Sequence, residues 1–152
     1  MTKVNERLAL FSPLLGEWTT TGKHPMLPGR TLRGRVSFER IEDGAFVRMR
    51  STSAEREIPT GVAIFGTDDE RGEGTMLYFD ERGVSRRYTF EIKDGVLSWW
   101  RDDPAFRQRF AVTVHPDGQR LSGKGEMSRN GAAWEGDLEM EYQRVTTTAP
   151  VD

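Results

Sequence analysis

Apolar and polar residues alternate along most of this sequence, in short runs separated by turn-forming residues. Glycine, asparagine or aspartate interrupts the runs at intervals of about 8–12 residues. Alternation with a period of two is typical of β-strands that bury one face. The pattern predicts about ten strands, at residues 16–24, 31–41, 45–54, 62–67, 74–80, 84–93, 96–101, 106–115, 120–128 and 133–145.

The alternation also predicts which side chains face inward. In the last strand, apolar side chains share one parity and carboxylates share the other. The inward set there is Trp134, Leu138, Met140 and Tyr142, and the outward set is Glu135, Asp137, Glu139 and Glu141. The same reasoning predicts inward positions for Leu32, Val36, Phe38, Phe106, Phe110, Val112 and Val114, and outward positions for Arg33, Arg35, Glu39, Arg107 and Arg109.

Ten one-sided antiparallel strands can split into a sandwich or close into a barrel. Only closure removes the exposed strand edges. We therefore predict an all-β fold, a closed or nearly closed up-and-down barrel. A barrel of about ten strands is wider than its own side chains can fill, so an interior cavity is expected.

The connections between strands fall into two kinds. Residues that tolerate positive φ occupy 42–44, 80–83, 93–95, 116–118 and 129–131, and these segments are typical of hairpin turns. Two longer connections, 24–29 and 55–61, contain prolines that cannot join a ladder. We expect these two loops to act as lids over one end of the barrel.

The N-terminus carries the one helix that the pattern predicts. Asn5 is placed to cap it, Leu8, Phe11 and Leu15 share one face, and Pro13 ends it. We expect about two turns that plug the barrel within residues 1–15. Residues 146–152 have no apolar period and are expected to fray.

Composition narrows the function classes. The 152 residues suit one domain, 1–152, and the net charge of −2 gives no field that would attract nucleic acid or an anionic bilayer. The absence of cysteine excludes disulfides and thiolate chemistry. No apolar run is long enough to span a membrane, and no signal peptide is visible. We therefore expect a cytoplasmic protein without a nucleic-acid or membrane partner.

The triplet Gly16-Glu17-Trp18, preceded by a short helical turn, resembles the Gly-x-Trp opening of the calycin barrels, which include lipocalins and fatty-acid-binding proteins. Arg144 stands near the end of the last strand, where many calycins place a basic residue against that tryptophan. The resemblance implies that Trp18 closes the barrel floor under Arg144. Longer stretches also resemble a bacterial family of uncharacterised small barrel proteins, namely 76–86, 99–101 and 106–110.

Nitrobindin-type haem barrels are similar in their strand number and in the Gly-x-Trp opening. In that family a histidine near the end of the chain binds the iron. The final strand here has Glu139, Met140, Glu141 and Tyr142 at that place and no histidine. We therefore expect no haem, and no other cofactor is predicted.

Two histidines are candidates for chemistry. His24 ends the first strand, and its parity points the imidazole into the mouth of the barrel. It suits a general base or metal ligand near neutral pH, or a structural hydrogen bond to its own loop. His115 falls in a turn on the outward parity, and we assign it no role. The spacing of the two histidines and nearby carboxylates supports no metal site.

A hairpin of polar residues is a second candidate. Tyr78 and Asp80 share one parity, and Arg86 and Tyr88 share one on the next strand. If this face is internal, an arginine and two phenols form an anchor for a carboxylate or phenolate. If it is external, Arg86 and Asp80 form a surface ion pair of little value. Sequence leaves both open.

Four further inward or aromatic positions matter. Gln108 is either a ligand contact or a structural hydrogen bond, and Met140 belongs to the expected ligand-contacting wall. Trp99 and Trp100 must face opposite sides of the sheet. We interpret the outward one as a contact surface, in a homodimer or against the N-terminal helix.

These observations favour a protein that binds a small apolar or amphipathic molecule inside the barrel. The predicted ligand contacts are His24, Tyr78, Arg86, Tyr88, Gln108 and Met140. One alternative is an enzyme of the same fold that uses His24 or Tyr78 as acid or base. The other is a structural or interaction protein whose barrel is filled.

Overall fold

The computed structural model describes residues 6–67 and 74–146, and its strands form a closed antiparallel barrel. The strands are β1 (Gly16–Lys23), β2 (Leu32–Ile41), β3 (Phe46–Ser53), β4 (Gly61–Thr67), β5 (Gly74–Asp80), β6 (Ser85–Lys93), β7 (Val96–Asp103), β8 (Phe106–Val114), β9 (Arg120–Arg129) and β10 (Glu135–Arg144). Each strand pairs with the next along the chain, and β10 pairs with β1. The predicted architecture is confirmed, with strand bounds that differ from the prediction by at most two residues.

The predicted turns have the expected backbone. Asp94 and Gly95 alone connect β6 to β7, with φ of 53° and 76°. Two consecutive positive φ values match the right-handed twist of the flanking strands, and Asp-Gly adopts them readily. Asn130 and Gly131 also have positive φ, of 50° and 75°, in the turn before β10.

The N-terminal segment forms a 3₁₀ helix, Glu6–Leu14, with Pro13 inside it rather than at its end. The predicted cap, Asn5, lies outside the described residues, as does 147–152 of the predicted frayed tail. The buried residues are Leu8, Phe11 and Leu14, whereas Leu15 was expected in place of Leu14. The reason is periodicity, because a 3₁₀ helix has three residues per turn and aligns every third side chain.

This helix, called the plug below, fills one end of the barrel as predicted. The Phe11 ring lies 4.9 Å from the Phe65 ring and 5.7 Å from the Phe90 ring, centroid to centroid. Phe38 lies 6.5 Å away on another strand. Phe11 is completely buried among these rings. Aromatic packing from three strands therefore holds the plug in the core.

Trp18 and Arg144 close the same end. They are register partners on β1 and β10, and the Arg144 guanidinium lies 4.2 Å from the centroid of the fully buried indole. The indole Nε1–H donates to the Leu14 carbonyl at 2.9 Å. Arg144 donates to the carbonyls of Pro13 and Leu15, at 2.8 Å each. The expectation drawn from the calycin resemblance is confirmed.

The inward faces are as predicted on β2 and β8 but not at the start of β10. There the register shifts between Gly136 and Glu139, as a β-bulge does. The prediction that Trp134 faces inward is wrong, because the Arg109 guanidinium stacks on its ring at 3.8 Å on the outer face. The prediction that Asp137 faces water is also wrong, since Asp137 lines the interior cavity.

Trp99 points into the barrel and Trp100 points outward, as alternation requires. The plug packs inside the barrel near β3 and β4, so the interpretation that it covers Trp100 is wrong. A homodimer through Trp100 stays a prediction. In the described part of the chain, no helix has the length and apolar character needed to cross a membrane.

Candidate ligand-binding site

A cavity of about 310 Å³ lies in the half of the barrel opposite the plug. This volume is at the lower end of the range for small-molecule sites, roughly 300–1,000 Å³. All six residues predicted to contact a ligand line it, namely His24, Tyr78, Arg86, Tyr88, Gln108 and Met140. Their common location is a structural finding, and their role in binding stays a prediction.

Most of the cavity wall is apolar. Trp99 and Phe110 stack across neighbouring strands, with ring centroids 4.9 Å apart and an interplanar angle of 19°. Thioethers from three strands and aliphatic side chains from β2 complete the surface, with Met49, Met76, Met140, Leu32 and Val36. Aromatic faces and flexible methionines accept apolar groups of varied shape.

One wall carries a polar cluster formed by Arg86, Tyr88 and Gln108. The Tyr88 hydroxyl donates to Gln108 Oε1 at 2.9 Å, and Arg86 Nη1 donates to the same oxygen at 3.3 Å. Gln108 therefore makes structural hydrogen bonds that orient Arg86. In residues 6–67 and 74–146, no carboxylate lies within ion-pair distance of Arg86. The guanidinium also lies 5.9 Å from the centroid of the Phe106 ring, so its positive charge has neutral partners but no counterion in those ranges.

Tyr78 belongs to a different network at the rim. Its hydroxyl donates to Asp80 Oδ2 at 2.8 Å, and Arg82 also bonds that carboxylate, at 2.7 Å. The hydrogen bond from Arg82 holds the pKa of Asp80 well below its usual range. Burial, together with the bond to Asp80, raises the pKa of Tyr78 well above its usual range. The external Arg86–Asp80 pair is therefore not formed, and Tyr78 stays protonated.

His24 lies at the mouth and has a partner that the sequence analysis missed. One ring nitrogen, Nε2, lies 2.9 Å from Asp137 Oδ1, and the other, Nδ1, accepts the Met26 backbone N–H at 3.0 Å. Since Nδ1 is an acceptor, Nε2 carries the hydrogen of the neutral ring, and this N–H donates a hydrogen bond to Asp137. Gly136 within the last strand was the available signal, because an isolated glycine in a strand indicates a bulge.

The two proline-containing loops meet over the mouth. Arg30, from the first loop, donates to Glu57 at 2.7 Å and to Glu55 at 2.8 Å in the second loop. The hydrogen bond from Arg30 lowers the pKa of Glu57. Ile58 and Pro59 of the second loop line the cavity. The position expected of lids is thus observed, with an ion-pair connection between the two.

His115 lies on the outer face. Its Nε2 is 2.8 Å from Ser122 Oγ, and that hydroxyl donates to Glu141 at 2.9 Å. The Ser122 hydroxyl lies between the histidine and the carboxylate, and it donates its hydrogen bond to Glu141 rather than to the His115 ring nitrogen. Within the described ranges, no group of three or more histidines and carboxylates is arranged to hold a metal ion.

Comparison with known proteins relates the fold to solved structures. No family model matches the sequence, and no curated protein does. Rv2717c from M. tuberculosis is similar with a TM-score of 0.65 and 15% identity, over 95% of this chain and 100% of that one. The fatty-acid-binding protein 1 of Echinococcus granulosus is similar with a TM-score of 0.60 and 13% identity, over 88% and 98%.

A third likeness is to the S-type phycobiliprotein lyase of Guillardia theta, with a TM-score of 0.57 and 11% identity, over 92% of this chain and 93% of that one. At such identities the likeness establishes the fold alone. The barrel closure, the plug and the Trp18–Arg144 floor agree with it. The chain therefore shares the closed antiparallel barrel fold of these three structures.

Proposed function

We propose that this barrel binds a small amphipathic molecule with an anionic head, a carboxylate or phenolate, and that Arg86 binds the head. The observation that carries the proposal is the Arg86 guanidinium, which lies on a mostly apolar cavity wall and has no carboxylate partner among the described residues. A buried or half-buried cation is costly without a partner. An anionic head would supply that partner through a bidentate, charge-assisted pair of hydrogen bonds.

The cavity supports the same proposal through its shape and lining. Apolar walls with a few convergent polar groups are the usual construction of a small-molecule site. The remaining open space also argues against a barrel that is filled and purely structural. One neighbour in fold is named as a fatty-acid-binding protein, and another as a phycobiliprotein lyase. Both names are compatible with a barrel that accepts apolar molecules.

Catalysis receives less support from the same residues. Both ring nitrogens of His24 are engaged, one by Asp137 and one by Met26. The Tyr78 proton is bonded to Asp80, and the raised pKa of Tyr78 keeps the phenol from acting as a base near neutral pH. A general base needs a free lone pair facing the substrate. We therefore propose binding rather than acid–base chemistry.

Calorimetric titration near pH 7 with decanoate, which presents an anionic head, and with 4-hexylphenol, which is uncharged because a phenol has a pKa of about 10, tests the proposal. Arg86→Ala should weaken decanoate binding by about 1.5–3 kcal/mol, the usual value of a hydrogen bond to a charged group. Arg87→Ala is the matched control, because Arg87 is the next residue on β6 and is exposed on the outer face. Equal affinity in the wild type and Arg86→Ala would remove Arg86 from the site. Absence of heat with both probes would contradict the proposed function.

A further inference from the structure

The cavity occupies only part of the barrel's length. Along β6, the inward side chains of Arg86 and Tyr88 line it, whereas the next inward residue, Phe90, belongs to the packed core. Along β5, Met76 is at the boundary, since it lines the cavity and also packs in the core. Beyond that level the described residues form a packed core of the plug, aromatic side chains and aliphatic side chains.

The layer beneath the cavity is an interlocked aromatic cluster. Phe65 and Phe90 meet edge to face with centroids 5.0 Å apart, and Phe65 lies 6.2 Å from Trp99 in the cavity wall. Phe11 of the plug supports both phenylalanines from below. Close-packed aromatic layers do not yield without a loss of contacts on every side. The cavity therefore has a firm floor.

The distance from the polar cluster to this floor is short. Arg86 and Phe90 are four residues apart, which is about 13 Å along a strand and roughly 10 Å along the axis of a barrel with strands tilted by about 40°. With carbon–carbon bonds of about 1.5 Å, an extended chain of about eight carbons spans that depth, and a slightly bent chain of about ten carbons still fits it.

We propose that the plug and its aromatic layer act as a ruler, which selects amphipathic anions whose apolar part has about eight to ten carbons. This inference rests on the proposed function, since it places the head at Arg86. A longer chain would reach the Phe65–Phe90 layer and would have to fold back or leave its end at the mouth. Its additional methylenes would then gain little burial.

A series of straight-chain carboxylates from hexanoate to hexadecanoate tests the ruler on the wild-type protein, with each ligand kept below its micelle concentration. A methylene that becomes buried contributes about 0.8 kcal/mol, or about a fourfold gain in affinity. We expect a fourfold gain per methylene up to about decanoate and no further gain beyond it. A steady rise to hexadecanoate would overturn the ruler but leave the proposed function intact. Failure of every carboxylate to bind would instead overturn the placement of a carboxylate head at Arg86, and with it the ruler that rests on that placement.

Met76→Ala tests the floor directly. The substitution opens space for about three methylene-sized groups, at roughly 30 Å³ each, at the bottom of the cavity. The break in the chain-length series, which is the length beyond which affinity stops rising, should move to chains that are two or three carbons longer. Leu77→Ala is the matched control, because Leu77 is the adjacent residue on the outer face of β5 and is 37% exposed. A break that stays at the same length in folded Met76→Ala would overturn the ruler. If Met76→Ala does not fold, the wild-type series alone decides.

Discussion

Replacement of Trp18 by alanine would remove the side chain that closes the plug end of the barrel. Trp18 is fully buried, donates its Nε1–H to Leu14 and carries the Arg144 guanidinium on its ring. Truncation of a buried aromatic residue costs about 3–5 kcal/mol through the cavity it leaves. Loss of the hydrogen bond adds about 1 kcal/mol at most, because part of its value is recovered from water.

We therefore expect Trp18→Ala to lower the free energy of unfolding by about 3–6 kcal/mol. For a protein of this size, that loss corresponds to a fall in Tm of roughly 6–24 °C. The assay is urea unfolding followed by far-ultraviolet circular dichroism, which reports the sheet and not the deleted indole. Trp100→Ala is the control, since Trp100 faces outward on β7 and should cost far less.

The contact between Trp18 and Arg144 can be measured separately. A double-mutant cycle with Trp18→Leu and Arg144→Ala should give a coupling energy of about 0.5–2 kcal/mol, as expected for a partly desolvated cation over an aromatic ring. A loss below about 1 kcal/mol in Trp18→Ala would show that this residue does not close the floor. A coupling near zero would show that Arg144 acts through its hydrogen bonds to the carbonyls of Pro13, Leu15 and Gly118 and not through the indole ring.

Two further predictions concern protonation. Arg82 lowers the pKa of Asp80 in the folded state. The Asp80 carboxylate therefore contributes stability that is complete above about pH 5 and is lost as the pH falls toward the pKa of Asp80 in the folded protein. The urea midpoint of the wild type should fall between about pH 5 and about pH 2.5, and Asp80→Asn should reduce that fall. An equal fall of the midpoint in the variant and the wild type would contradict this reasoning. Neutral His24 should be the Nε2–H tautomer, since Nδ1 accepts the Met26 N–H. Nitrogen-15 NMR of the imidazole checks this, and a dominant Nδ1–H form would contradict the assigned geometry.

Alternation in the sequence was sufficient to predict the barrel, because ten strands that bury one face each leave few other ways to pair every edge. The same alternation placed Tyr78, Arg86, Tyr88 and Gln108 on matching parities. It did not decide whether that face was internal, since Tyr78 and Arg86 are amphipathic and suit either side. Only closure of the sheet, which involves all ten strands at once, settles the direction.

The errors have local causes that alternation does not contain. A single bulge in β10 reversed the parity of Trp134 and brought Asp137 into the interior. The contact between Asp137 and His24 joins the two ends of the sequence, so no local pattern could indicate it. The apolar spacing predicted that the plug is a helix. Because the helix is of the 3₁₀ type, with three residues per turn, Leu14 rather than Leu15 shares the buried face with Leu8 and Phe11.

Pairing of β1 with β10 has a consequence for biosynthesis as well as for structure. Until the last strand has left the ribosome, β1 and β9 both present unpaired backbone groups along a full edge. Such edges are templates for association with other chains, and contacts between distant parts of a sequence form slowly. A nascent chain that stalls before residue 135 would therefore expose two adhesive edges, and its dependence on chaperones should fall sharply once β10 is available to close the ring.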